Sequence, residues 1–114
     1  MITVEALKNY GANTEEGLSR CMNNEAFYLR MVGMGLADGN FDKLIDAVSA
    51  GDAKEAFEAA HALKGVMGNL SLTPLYEPLS ELTEKLRGKD EIGDVSELIS
   101  TITERLENIR ALND

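Results

Sequence analysis

Ala60-His61-Ala62-Leu63-Lys64-Gly65-Val66-Met67-Gly68-Asn69-Leu70 reads as a stretch of helix with two unlike faces. At ~100° per residue, Ala56, Ala60, Leu63, Met67 and Leu70 share one apolar stripe. His61, the only histidine in 114 residues, then lies roughly 150° from the middle of that stripe, on the side that faces water. Gly65 and Gly68 follow at i+4 and i+7 on the same outer face, and Lys64 at i+3 flanks them. Each interior glycine destabilises a helix by about 1 kcal/mol relative to alanine. Two of them beside one imidazole clear side chains away from it. The spacing predicts a reactive histidine on a surface shaped for another protein.

Outward from this stretch almost every segment reads as helix, with no period-two strand pattern. Gly51-Asp52 ends one helix and starts the histidine helix, which runs from Ala53 to about Leu70; Asp52 and Glu55 have N-cap to N3 spacing. Upstream, residues 3–9 form a short helix, and Thr14 caps another through about Cys21. Asn24 caps a helix through about Leu36 with Phe27, Met31 and Met34 on one side. Asn40 caps the next, whose apolar face is Phe41, Leu44, Ile45 and Val48. Downstream, Thr73-Pro74 reads as a cap with proline at the first helical position. Leu75, Leu79, Leu82 and Leu86 then form a buried stripe. Pro78 predicts a slight irregularity, and Gly88 closes that helix. Asp94 with Glu97 opens the last one, burying Val95, Leu98, Ile102, Leu106 and Ile109. Short turns between such helices favour antiparallel neighbours. The expected fold is all-α: an antiparallel up-down four-helix bundle, core about 24–112, with additional short N-terminal helices, in one domain over 1–114.

Composition narrows the function. The chain has room for one core, and no apolar run is long enough to span a bilayer. The N-terminus lacks the basic start and apolar stretch of a signal peptide. One cysteine, Cys21, cannot form an internal disulfide, which suits a reducing cytoplasm. One His and one Cys cannot assemble a structural zinc site. Twenty acidic against eleven basic residues give a net charge of −9, which argues against nucleic acid or anionic membrane and towards protein partners.

An exposed helical histidine is ordinarily incidental. Three features set His61 apart: the missing side chains at Gly65 and Gly68, the cation Lys64 one turn along, and the absence of a better nucleophile or base elsewhere. Ala60-His61-Ala62-Leu63-Lys64-Gly65, followed by Gly68-Asn69-Leu70, resembles the signature of the histidine-containing phosphotransfer (HPt) domain. Helix count, helix order and the Gly51-Asp52 turn resemble that family too, over residues 24 to 112. One departure stands out: the family often has glycine ten residues after the histidine, where this chain has Ser71.

The resemblance implies a phosphocarrier, not an enzyme. His61 would accept a phosphoryl group, by resemblance on Nε2, and pass it between a sensor or hybrid histidine kinase and a response-regulator aspartate. Phosphoryl transfer depends on positioning and charge stabilisation. By resemblance, the partner receiver domain brings the aspartate and a bound Mg²⁺, so no cofactor or metal is expected on this chain. Lys64 would offset charge on the phosphoryl oxygens, while Phe57, Glu58, Gly65, Gly68 and Asn69 would meet the partner. Lys54 shares that outer face. The stretch from Phe27 to Leu36 is more apolar than one buried stripe requires: either it packs on two sides, or Met31 or Met34 extends the docking surface, since exposed methionines adapt to several partners. The expected protein is cytoplasmic and monomeric. A rival from another class is a helical adaptor whose histidine is incidental; a small helical enzyme using His61 as base lacks a second catalytic group beyond Lys64.

Overall fold

Short turns fold the chain back on itself repeatedly. The protein is described by a computed structural model over residues 1–113; Asp114, the last residue of the expected domain, lies outside the described residues. Within them are seven helices and no strand: α1 (Val4–Tyr10), α2 (Thr14–Arg20), α3 (Glu25–Leu36), α4 (Asn40–Ala50), α5 (Ala53–Asn69), α6 (Thr73–Leu86) and α7 (Ser96–Ala111). None is long and apolar enough to cross a membrane.

Helices α4 to α7 form the bundle, each antiparallel to the one before it. Gly51 takes φ +73° at the first joint, a left-handed conformation that suits a residue without Cβ. Asp52 then opens α5 by accepting the Glu55 N–H at 3.1 Å. Ala56, Ala59, Ala60, Leu63 and Met67 are fully buried along α5. Their small members let α4 and α6 approach from either side. Leu75, Leu79, Leu82 and Leu86 are the matching buried stripe of α6. Pro78 is buried within α6 and has no N–H for the carbonyl four residues back. That carbonyl, Pro74 O, accepts instead from the Arg105 guanidinium of α7 at 2.8 Å. The irregularity is thus absorbed by a side chain from the neighbouring helix.

The N-terminal helices pack around the end of the bundle where α5 gives way to α6. Tyr28 is fully buried there, and its hydroxyl donates to Leu70 O at 2.9 Å. Burial, and then the nearby Cys21 charge, push its phenol up to about 12. Two glycines make this packing possible. A Cβ on Gly17 would lie 2.5 Å from Tyr28 Cε1, and one on Gly35 would lie 2.6 Å from Leu70 Cδ1.

Several local expectations change. The buried face of α3 is Tyr28, Val32, Gly35 and Leu36, whereas Phe27 and Met34 are 40% and 61% exposed. The close approach to α5 at Gly35 rotates α3 so that its methionine side points outward. Asn13, not Thr14, caps α2. Asp38, not Asn40, serves the start of α4, accepting the Asn40 N–H at 2.8 Å; Ile45 stays on the surface. Thr73 is the first residue of α6 and does not cap it. Asp94 accepts from the Ser96 N–H and hydroxyl, so Ser96, not Glu97, is its partner at the start of α7.

Ser71 lies in the joint between α5 and α6 in a left-handed conformation. It sits at φ +56°, where a non-glycine residue costs about 1–2 kcal/mol. Its hydroxyl donates to Glu16 Oε1 at 3.1 Å, and its carbonyl accepts the Asn13 N–H at 2.9 Å. The hydrogen bond to α2 offsets part of that cost.

Candidate functional site

His61 lies on the outer face of α5, exposed, while its neighbours Ala60 and Leu63 are buried. An open groove of about 510 Å³ runs beside it, lined by His61, Lys64, Gly65, Gly68 and Asn69 together with residues from α2 and α6. Five of the residues singled out in the sequence therefore meet in one place. Phe57 stands outside the groove wall and touches the histidine instead. The two rings are stacked, with centroids 5.7 Å apart and planes 9° from parallel. Glu58 and Lys54 are exposed on the same helix but line no part of the groove.

The two glycines differ. A Cβ on Gly65 would meet nothing within 4 Å, so this position is open space beside the imidazole. A Cβ on Gly68 would lie 3.0 Å from Tyr76 Cε1 and 3.2 Å from Cδ1. Gly68 therefore also makes room for an aromatic ring of the protein's own α6. Its carbonyl accepts from the Ser71 N–H and from the Arg20 guanidinium, which tie α2 to the end of α5.

Lys64 and Arg20 line the same groove as His61. Among the described residues neither His61 nor Lys64 has an ion-pair partner. Arg20 is paired to Glu16 at 2.8 Å. Arg87, near the end of α6, donates to Glu84 through Nε and Nη2 at 3.2 and 3.1 Å. Those bonds and the attraction to Arg87 hold the Glu84 carboxyl below its usual range, helped by the Lys64 and His61 charges. Arg87 also lies over the Phe57 ring, its Cζ 5.2 Å from the centroid.

The sequence did not single out Arg20, Glu16, Tyr76, Glu84 or Arg87. Tyr76 and Glu84 on α6 and Arg87 just past its end were within reach: the short joint between α5 and α6 fixes an antiparallel register, which sets Tyr76 against Gly68 and Arg87 against Phe57. Arg20 and Glu16 carry no such signal, because α2 reaches the groove only through tertiary packing.

This arrangement suits a nucleophile offered to an approaching molecule. The ring's contact is an aromatic face, not a carboxylate that would orient it as a general base. The described residues contain no group of three or more acidic, His or Cys side chains placed to hold a metal. A larger groove of about 860 Å³ between α6 and α7 shares no residue with the histidine groove.

No curated protein and no solved structure shows significant similarity to the chain. Residues 36–112, which run from the end of α3 through α7, match the Hpt domain. That stretch holds the histidine helix and the whole bundle, and members of the family carry phosphoryl groups in two-component signalling through contacts with receiver and kinase domains. The chain belongs to the Hpt domain family.

Proposed function

We propose that the protein is a phosphorelay intermediate that carries a phosphoryl group on His61. The observation that carries this reading is the exposed, unpaired imidazole beside the open space at Gly65. In the forward step an imidazole nitrogen lone pair attacks phosphorus of a receiver aspartyl phosphate. The new P–N bond forms as the P–O bond to the aspartate breaks, the carboxylate leaves with the electron pair, and the ring's surplus proton goes to water. Transfer onward to a response-regulator aspartate reverses these bonds. An in-line path to the nitrogen must be free of side chains, and Gly65 provides one. Lys64, with no partner of its own, offsets charge on the phosphoryl oxygens. Mg²⁺ on the receiver supplies the remaining stabilisation. Asn69, Gly68 and the exposed Met34 extend the surface on which the receiver sits.

The test is phosphoryl transfer from a phosphorylated receiver domain, with Mg²⁺, to the wild type and to His61→Gln. The expected result is an acid-labile, base-stable label on the wild type and none on the variant. A variant that labels like the wild type would refute the assignment of His61. Receiver binding survives in the variant under either reading, so transfer alone separates a relay from an adaptor whose histidine is incidental.

A further inference from the structure

We infer that Phe57 is a positioning residue that holds the His61 imidazole in the orientation from which it reacts, and that Arg87 braces it. The inference rests on the phosphoacceptor reading of His61 and deepens it.

A surface histidine with no hydrogen-bond partner samples several rotamers on the picosecond to nanosecond scale. His61 differs because Phe57, one turn earlier on α5, lies parallel to it at 5.7 Å, an attractive offset arrangement of rings. Phe57 is half-buried against the core, so its own ring is anchored. The contact is an offset parallel one between ring planes and so sets the tilt of the imidazole without any bond to its nitrogens. The Arg87 guanidinium lies 5.2 Å from the Phe57 centroid, in the range of a cation–π contact. Two hydrogen bonds to Glu84 fix that guanidinium in turn. A chain of contacts thus runs from α6 through Glu84, Arg87 and Phe57 to the reacting ring.

Preorganisation of this kind raises the rate of the chemical step and leaves encounter with a partner unchanged. An apolar docking rim, the other role open to Phe57, does the reverse. Three substitutions separate them: Phe57→Leu keeps an apolar side chain without a ring, Phe57→Tyr keeps the ring, and Arg87→Gln removes only the brace. Each is measured three ways. Because His61 is the only histidine, its ring C–H resonances are identified in an NMR spectrum without further mutation. Labelling by phosphoramidate reports reactivity with no partner present. Single-turnover transfer from a phosphorylated receiver, over a range of receiver concentrations, separates the maximal rate from the half-saturating concentration.

The expected result for Phe57→Leu is a downfield shift of the His61 ring protons as ring-current shielding is lost. Phosphoramidate labelling and the maximal transfer rate fall about tenfold together, as loss of one aromatic pair implies, with half-saturation unchanged. Phe57→Tyr restores all three, and Arg87→Gln falls between. A raised half-saturation with an unchanged maximal rate makes Phe57 a docking residue and overturns the inference. So do unmoved His61 resonances in Phe57→Leu, or labelling of that variant at the wild-type rate. If the wild type takes label from neither donor, the phosphoacceptor reading itself fails, and the positioning role with it.

Discussion

Gly65 offers a substitution expected to strengthen the protein and weaken its function at once. The residue is in the interior of α5, and a Cβ added there meets nothing within 4 Å. Alanine therefore enters without steric penalty and gains about 1 kcal/mol of helix propensity. For 114 residues, an unfolding entropy of about 2.1 cal/mol/K per residue converts that gain into a rise in Tm of about 4 °C. Glutamine gains less, about 0.6 kcal/mol, or a rise of roughly 2–3 °C, and it sends a long side chain into the space beside His61. The assay pairs calorimetric Tm with single-turnover transfer on Gly65→Ala and Gly65→Gln. Both variants should melt higher than the wild type, and the glutamine variant should transfer at least about tenfold more slowly because the in-line path is obstructed. A lower Tm in Gly65→Ala would refute the reading of position 65 as open helix surface. Wild-type transfer in Gly65→Gln would refute the clearance argument. Position 68 cannot give so clean an answer, since the Tyr76 ring must shift to admit any side chain there.

Further outcomes follow from the packing. Tyr28→Phe removes the bond to Leu70 O and should lower stability by about 1–2 kcal/mol in urea denaturation. The same residue sets an alkaline limit. Its phenol ionises near 10 when unfolded but about 12 when folded, so the native state binds the extra proton between those values and stability falls as pH rises through them. Two such units correspond to about 3 kcal/mol, and Tyr28→Phe should lack that part of the pH slope. Arg105→Leu strips the Pro74 carbonyl of its donor and should destabilise by about 1–2 kcal/mol, with phosphoryl transfer unaffected below the melting range. Gly17→Ala drives a methyl into the Tyr28 ring and should destabilise by about 1–3 kcal/mol, visible as a lower urea midpoint with an altered near-ultraviolet tyrosine signal.

The parts of this protein that were legible from its sequence are those governed by local periodicity. The α5 and α6 stripes sit in the core because burial of one face per helix is decided residue by residue, and Asp52 caps α5 because its carboxylate needs only its own chain. The outward position of His61 follows from the same geometry. Errors gathered where tertiary approach overrode local pattern. On α3 the apolar residues outnumber one stripe, so periodicity alone could not choose between Tyr28 with Val32 and Phe27 with Met34. The choice was made by two glycines, Gly17 and Gly35, that admit close contacts from elsewhere in the chain. The caps of α2, α4, α6 and α7 lie a residue or two from where local spacing puts them, the scale on which helix ends are set by details of the preceding turn. At the site, Lys64 and the glycines were visible because they share a helix with His61. The bracing by Arg87 and the closing of the groove by Arg20 depend on neighbours in space.

The bond from Ser71 to Glu16 couples the energetics of two positions far apart in sequence. With glycine at 71, the left-handed turn forms without help, and residue 16 is free to drift. With serine there, Glu16 becomes part of the turn while still holding Arg20 against the end of α5. The two positions are then epistatic, so that losing Glu16 is costlier in this chain than in one carrying Ser71→Gly. In this chain α2, which lies outside the stretch matching the Hpt domain, thereby helps to hold the turn that ends the histidine helix.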